Sequence, residues 1–202
     1  ADPNFMDSYE TAYAFNSYFA RVNYDYKSKY YLSGSIRRDG SSRFGPDKRW
    51  GTFWSLGAGY TLSEESFLQG VDFINLLKVR ASYGITGNAG IGNFDWAGLW
   101  GFTPVYDGNG GAAPSQVANP NLTWESQGNT NIGLDLEMFN SRFRGNVDYF
   151  IRNSTELLLD RPLSMTSGFR TVQQNFGDMQ NSGWEIALSG DVVSTDDFIL
   201  TL

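Results

Sequence analysis

The side chains that could do chemistry in this 202-residue sequence are carboxylates, arginines and aromatic rings, because histidine and cysteine are both absent. Without them the chain has no imidazole base, no thiolate nucleophile or metal ligand, and no disulfide framework. Two adjacent carboxylate pairs remain, Glu64-Glu65 and Asp196-Asp197. Glycoside hydrolysis needs two carboxyl groups about 5 to 10 Å apart across a cleft, whereas neighbours in a strand or turn point apart. We interpret both pairs as solvated turn charges, and we predict a protein that is not an enzyme and needs no metal or cofactor.

Two polar segments could bind ions. Asp107-Gly108-Asn109-Gly110 resembles part of a calcium loop but lacks the further carboxylates and the closing glutamate, so a plain turn is favoured. The second segment is Arg38-Asp39-Gly40-Ser41-Ser42-Arg43-Phe44-Gly45. Arg38 and Arg43 could hold an anionic ligand, or Asp39 and Ser41 could cap turn amides. We favour the structural role, because Asp-Gly and Ser-Ser are turn sequences.

Four aromatic residues in the longest polar segment are candidate ligand contacts: Trp96, Trp100, Phe102 and Tyr106. Exposed rings of this kind could stack on sugar rings or pack against a partner that acts as a lid. The alternative is that they form a small core for the loop itself, as compact long loops do. Both interpretations remain open at this point.

The elements that position these residues are predicted to be strands. Aromatic residues make up 16% of the chain, charged residues only 18%, and 23 glycines punctuate it, which is typical of many strands joined by turns. No apolar run approaches the length of a membrane helix. The net charge of −7 argues against a nucleic-acid partner.

Alternation of apolar and polar residues predicts eight strands, at 18–26, 30–37, 54–62, 77–84, 131–138, 143–152, 184–189 and 198–202. The connections predicted to be short (27–29, 63–75, 139–142, 190–196) alternate with those predicted to be long (39–50, 85–123, 153–180). Short turns on one rim and long loops on the other are typical of an outer-membrane barrel. The fold class is therefore all-β, an antiparallel transmembrane β-barrel segment.

A soluble β-sandwich or an extended antiparallel sheet would also alternate, with one face buried. Two features favour the membrane. Aromatic residues such as Tyr18, Trp54 and Trp184 begin or end the apolar faces, as interface girdles do. Charged residues recur near mid-strand on the opposite faces, which suits a watered interior. The alternative function is a soluble or surface carbohydrate-binding or adhesion module.

The sequence resembles the C-terminal part of SusC/RagA-type TonB-linked outer-membrane proteins. Its segment 36–45 matches the family's strand-loop signature R-x-D-G-S-S-R-F-G. Further matching motifs lie in the family's order at 18–26, 64–67, 77–84 with 86–88, 119–125 and 175–185. Several such motifs in order over most of the chain make the resemblance specific.

The resemblance implies active import of a nutrient oligomer, a glycan or a peptide, across the bacterial outer membrane. It further implies a 22-stranded barrel around a plug domain, a SusD-like surface lipoprotein as lid, and energy from TonB. We expect residues 1–202 to be part of one barrel, with the plug domain, the signal peptide and the remaining strands outside this sequence. The resemblance does not identify the substrate.

Overall fold

The computed structural model describes residues 10–102, 105–107, 109–194 and 199–201. This part of the chain is all-β, with two short 3₁₀ turns at Leu62–Glu64 and Met165–Ser167. No helix within it has the length and hydropathy needed to cross a membrane. The strands are β1 Phe15–Tyr26, β2 Tyr30–Ser41, β3 Trp50–Thr61, β4 Ile74–Asn88, β5 Leu99–Gly101, β6 Val105–Tyr106, β7 Asn109–Gly110, β8 Ala113–Gln116, β9 Glu125–Met138, β10 Phe143–Thr155, β11 Leu158–Pro162, β12 Thr171–Asn175, β13 Met179–Ser194 and β14 Ile199–Thr201.

The principal feature is one antiparallel sheet of eight strands in the order β1-β2-β3-β4-β9-β10-β13-β14. Each pair of neighbours is consecutive once the small outer ribbons are left out, so every connection is a hairpin or an extended hairpin loop. The prediction of eight antiparallel strands is confirmed. It succeeded because the two-residue period is strong in each of these segments.

The strands are longer than the alternation indicated. β2 continues to Ser41, so Asp39, Gly40 and Ser41 belong to a strand. The prediction that these three residues lie in a loop is wrong. Asp39 pairs there with Ser17 on one side and Gly51 on the other. Backbone pairing thus extends past the point where the apolar pattern stops, since ladder hydrogen bonds do not depend on side-chain polarity.

The long connections are more ordered than predicted. Segment 89–124 contains the ribbons β5–β8 and β6–β7, and segment 156–178 contains the ribbon β11–β12. The predicted alternation of lengths is also wrong at one place, because connection 42–49 is shorter than connection 62–73. Consecutive connections still lie at opposite ends of the sheet, because consecutive strands are antiparallel neighbours.

The register places like residues side by side on both faces of the sheet. One row across seven strands consists of Tyr24, Leu32, Ala58, Ala81, Ile132, Tyr149 and Trp184. The adjacent row on the other side consists of Asn23, Ser33, Gly57, Ser82, Asn131, Phe150 and Gly183. We call these the apolar face and the polar face. A slip by one residue would exchange them.

The apolar face is exposed, not packed into a core. Val22 is 70% accessible and Ile186 is 64% accessible. The buried hydrophobic residues form a different cluster, namely Phe44, Phe53, Ile91, Leu122 and Trp124, at the long-loop end of the sheet. A contiguous apolar surface of this extent requires an apolar covering, so the arrangement is the reverse of a soluble sandwich.

A hydrogen-bonded cluster fastens connection 62–73 to the short-turn end of the sheet. The Glu65 carboxylate accepts hydrogen bonds from the hydroxyls of Tyr60 and Tyr30, and it lies 3.1 Å from Lys29 Nζ. The two tyrosine rings stack with centroids 5.0 Å apart. The hydrogen bond from Tyr60, together with that from Lys29, holds the pKa of Glu65 below its usual range.

Replacing Glu65 with Gln should destabilise this end of the barrel at neutral pH and have no effect in acid. A carboxyl whose pKa is lowered by folding contributes stability above its unfolded-state pKa, and the contribution is lost as pH falls through the folded-state value. Wild type and E65Q should therefore unfold at different temperatures at neutral pH, and the difference should disappear as the pH falls through the folded-state pKa of Glu65. E64Q is the matched control, because Glu64 forms no ion pair within the part of the chain that the structure describes. Equal unfolding of E65Q and wild type at neutral pH would contradict the prediction.

Candidate functional site

Aromatic side chains of the apolar face form two belts. The belt toward the long loops consists of Tyr18, Trp50, Trp54, Tyr83, Tyr149 and Trp184, and the belt toward the short turns consists of Tyr26, Tyr30 and Tyr60. Rings within the first belt are in contact. The ring centroids of Tyr149 and Trp184 are 4.9 Å apart, and those of Tyr18 and Trp50 are 6.1 Å apart. Arg38 lies over Trp50 at 5.4 Å. Such amphipathic rings and a nearby cation are suited to a membrane interface.

The first belt runs diagonally across the sheet. The register row that contains Trp184 in β13 reaches β1 at Tyr24, whereas the belt residue of β1 is Tyr18, six residues away. With about 3.4 Å per residue and about 4.8 Å between strands, this corresponds to an inclination of roughly 35°. Transmembrane barrels tilt their strands by about 35 to 45°, so a belt parallel to a membrane surface must have this slope.

The polar face carries an ionic cluster that the sequence analysis did not identify. Arg80 of β4 places Nη2 2.6 Å from Asp148 Oδ2 of β10, and Nε 3.1 Å from Asp135 Oδ2 of β9. Asp148 is only 6% accessible. Gly133 makes the bridge possible, because a Cβ there would lie 2.5 Å from Asp148 Oδ1. In the register Arg80 and Asp148 lie on either side of Gly133, and Asp135 lies two residues further along β9 on the same face. The signal available in the sequence was a charged residue on the polar face of each of these three strands.

Small side chains occupy the middle of the polar face. Ser33, Gly57 and Ser82 are neighbours across β2, β3 and β4, and they form part of the floor of two shallow grooves of 470 and 410 Å³. Lys78 and Arg80 border the first groove and Arg37 the second. The middle of the polar face therefore exposes serine hydroxyls and backbone polar groups to water, and charged side chains lie at the borders of the grooves.

The motif at 38–45 is fixed by hydrogen bonds and an ion pair at the end of β2. Ser41 Oγ accepts a hydrogen bond from the Arg43 amide at 3.3 Å, as expected of a cap. Asp39 caps no turn amide among the described residues, and it lies instead 2.7 Å from Arg37 Nε. Ser42 Oγ accepts from the Ala14 amide at 2.9 Å. The segment is thus a set of local bonds at the end of β2.

The two arginines of this motif are engaged within the protein. Arg43 donates to Asn93 Oδ1 at 3.2 Å and to the Ala89 carbonyl at 3.3 Å, and it lies 4.0 Å from the Tyr13 ring. Arg38 contacts Trp50, as described above. These contacts account for both cations structurally, and the geometry favours the structural role for the motif over an anion site.

Trp124 is the centre of the buried cluster, which we call the loop latch (Phe44, Phe53, Ile91, Leu122 and Trp124). Phe44 is fully buried against Trp124, with ring centroids 5.1 Å apart, and Phe53 meets the same indole edge to face at 5.5 Å. Trp124 Nε1 donates to the Arg49 carbonyl at 3.1 Å. Strand β3 and connections 42–49 and 89–124 are therefore fastened at one point.

Glycines of the motif make the close approach possible. A Cβ at Gly40 would lie 2.9 Å from the Trp50 ring, and one at Gly45 would lie 3.2 Å from the Pro120 carbonyl oxygen. Gly87 is more restricted still, because its Cβ would overlap Phe53. These positions explain why the signature contains glycine on both sides of its serines.

The four predicted aromatic contacts do not share one environment. Trp96 packs against the loop latch, as the loop-core interpretation expected. Trp100 and Phe102 are 62% and 79% accessible. Tyr106 belongs to β6 and pairs with Asn109. A role of these residues in ligand binding therefore stays a prediction, for which Trp100 and Phe102 are the accessible candidates.

The other charged segments fall in turns or outside the described residues. Asp107 has φ 49°, and Asn109 Nδ2 donates to its carbonyl at 3.2 Å, as in a plain turn. Gly108 lies outside the described residues, as do Asp196 and Asp197. Glu64 and Glu65 lie at the 3₁₀ turn after β3, and Glu65 serves the tyrosine cluster described above.

Comparison with known proteins gives consistent matches over the whole chain. Residues 1–202 match the family model "TonB dependent receptor-like, beta-barrel". The chain is 41% identical to TonB-dependent receptor P39 of Formosa agariphila over 95% of its residues, and 35% identical to TonB-dependent receptor SusC of Bacteroides thetaiotaomicron over 94%. It superposes on the RagAB peptide transporter with a TM-score of 0.85 and 35% identity over 92% of the chain. It spans about a fifth of the length of these relatives, 18% of P39 and 20% of SusC and of the RagAB chain.

Replacing Gly87 with Ala should loosen the loop latch. The new methyl would overlap the Phe53 ring, and overpacking of this kind costs about 1 to 3 kcal/mol. Trypsin added to intact cells should then cleave after Lys48 or Arg49 faster than in wild type. G70A is the matched control, because nothing lies within 4 Å of a Cβ there; equal cleavage of G87A and wild type would refute the latch.

Replacing Arg80 with Met should lower the unfolding temperature in detergent. The change leaves the carboxylates of Asp135 and Asp148 without their shared cation, and an uncompensated buried charge is costly, about 1 to 3 kcal/mol where water has partial access. The double variant R80M/D148N should recover part of the loss because it removes the buried charge. If the double variant is no more stable than R80M, the bridge does not stabilise the sheet.

Proposed function

The chain belongs to the TonB-dependent receptor β-barrel family, and on this premise we propose that it forms part of an importer that takes a nutrient oligomer across the outer membrane. Receptors of this family are outer-membrane β-barrels. The family is one of receptors and transporters, not a known class of enzymes. The transported oligomer is a glycan or a peptide.

The observation that carries this proposal is the exposed apolar face between two aromatic belts. In lipid, every backbone N–H and C=O must be satisfied by neighbouring strands, and the six strands between the edge strands β1 and β14 each pair on both sides. Hydrocarbon supplies the missing apolar cover, and the belts lie where the headgroups begin. The polar face then lines a watered interior.

The alternative is a soluble or surface module that binds carbohydrate. It would need the apolar face to be covered by a second layer, and within the described residues the buried cluster lies instead on the polar side, at the loop end. The inclination of the aromatic belt to the strand register is explained by the strand tilt of a membrane barrel, and a β-sandwich offers no such explanation. The importer is therefore the better account.

We propose that residues 1–202 form one part of a single larger barrel of about 22 strands. β1 and β14 are the edges of the described sheet, and exposed edges are aggregation-prone and costly in lipid unless paired. The chain also spans only about a fifth of its relatives. The plug domain, the signal peptide and the remaining strands are assigned to other parts of the longer protein.

We propose two partners for the complete importer: TonB, acting through the plug, and a SusD-like lipoprotein that closes over the long loops as a lid. The relative solved as the RagAB peptide transporter supports a two-component assembly of this kind. Within this chain, the exposed rings of Trp100 and Phe102 are the surface offered to the lid or the ligand. Aromatic residues in such positions commonly dominate interface energetics.

Replacing Ile186 with Arg should reduce the amount of barrel in the outer membrane. Ile186 lies on the apolar face near mid-strand and is exposed there, and an arginine facing lipid near the midplane costs about 2 to 4 kcal/mol. Its neighbour Glu185 faces the polar side, so E185R is the matched control. Similar yields of both variants in fractionated membranes would contradict the assignment of the two faces.

The function is tested by tagging the full-length protein in its native host, extracting the outer membrane with detergent and identifying the co-purifying chains. We expect a surface lipoprotein to co-purify, and W100S/F102S to lower its recovery by about tenfold, as loss of an interface hot spot does. F67S is the control, an exposed phenylalanine of connection 62–73 on the opposite rim. Recovery as a soluble protein without lipoprotein would overturn the importer.

A further inference from the structure

A polar cleft of 560 Å³ separates the two outer loops. One wall is formed by residues 114–117, of which the first three belong to β8, and the other by residues 168–173, of which the last three belong to β12. Side chains alternate along a strand, so a wall made by the face of a ribbon contributes every second residue. The first wall contributes four residues in succession and the second contributes six, and each ribbon therefore presents an edge to the cleft.

The direction of the backbone groups in β12 follows from two hydrogen bonds. The Gln173 carbonyl accepts from Asn119 Nδ2 of the opposite loop at 2.8 Å, so this carbonyl points away from the partner strand β11. The Arg170 carbonyl accepts from the Leu163 amide at 2.9 Å and points toward that strand. Backbone groups alternate in direction along an antiparallel strand, which places the N–H and C=O of Thr171 on the cleft side.

The pairing of Thr171 supports this orientation. It lies opposite Pro162, which has no N–H to offer, as expected for a pair that exchanges no hydrogen bonds. Among the described residues, no turn, loop or side-chain hydrogen bond involves either backbone group of Thr171. A donor and an acceptor with strand spacing thus face an open cleft.

The cleft is held open by bonds between the loops. Asn175 accepts from the Thr123 amide and donates to the Thr123 carbonyl, both at 2.8 Å, beside the Asn119 to Gln173 bond. Binding therefore requires little reorganisation of the walls. Asp160 and Arg170 line the cleft, and neither forms an ion pair among the described residues.

We propose that this cleft binds a short extended peptide by strand addition to the free edge of β12, an inference that names the substrate class of the proposed importer and rests on it. Strand addition derives affinity from the main chain of the ligand, and side-chain pockets add selectivity. The unpaired charges of Asp160 and Arg170 suit a ligand with charged ends or side chains of both signs. An oligosaccharide lacks amide groups at strand spacing and cannot satisfy the Thr171 edge in this way.

The first test uses the full-length protein with its co-purifying partner in detergent. The probes are a fluorescein-labelled Thr-Ser hexapeptide, the same peptide N-methylated at alternate amides, and maltohexaose as competitor. We expect the N-methylated peptide to bind at least about tenfold more weakly, the equivalent of about 1.4 kcal/mol, and maltohexaose not to compete. Equal binding of the two peptides, absence of peptide binding, or displacement by maltohexaose would each overturn the inference.

The second test uses two variants at one position. T171P removes the N–H that faces the cleft without removing a bond of the ribbon, since proline is tolerated at such an edge, whereas T171V keeps the N–H and loses only the hydroxyl. We expect T171P to weaken hexapeptide binding by about tenfold and T171V to bind like wild type, with both variants unfolding at the wild-type temperature. Equal binding by T171P and T171V, or a loss with T171V as large as with T171P, would overturn strand addition. Neither result bears on membrane recovery or lipoprotein co-purification, so the proposed import function is tested separately.

Discussion

The structure depends on one constraint, the satisfaction of every backbone hydrogen bond in the sheet by a neighbouring strand. Outside water, an unpaired N–H or C=O costs several kcal/mol, so strands must pair along their whole length in lipid. Pairing fixes the register, and the register decides which side chains share a face. The uninterrupted row from Tyr24 to Trp184 is a direct result, as is the adjacent row from Asn23 to Gly183, in which every residue except Phe150 is serine, glycine or asparagine.

This constraint also explains where the small core lies. The apolar face is given over to lipid, so the side chains that fasten the outer loops must come from the other face. Phe53 is in register with Arg37 on the polar side, and it reaches Trp124 and the fully buried Phe44 there. The loop latch consequently uses few residues, each in contact with several elements.

The sequence predicted the fold well because the strongest local signal, the two-residue period, is also the signal that lipid and water impose. All eight strands of the sheet and the turn at 27–29 were located correctly. What could not be predicted depends on contacts between distant segments. Asp39 and Ser41 are typical turn residues, although they extend β2. The strands of the β11–β12 ribbon are too short for a two-residue period to be detected in the sequence. The bridge from Arg80 to Asp148 joins residues 68 apart, and only the register of three strands brings them together.

The position of the loop latch determines how the outer loops are directed. Had the buried aromatic residues belonged to the apolar face, the loops would have folded outward over the membrane surface. Because Phe53 and Trp124 meet on the polar side, connections 42–49 and 89–124 fold inward, above the interior that the polar face lines. The bond from Asn119 to the Gln173 carbonyl carries the second long loop, 156–178, in the same direction. Residues that contact a ligand are therefore to be sought where these two loops approach each other above the polar face, and the edge of β12 lies at that place.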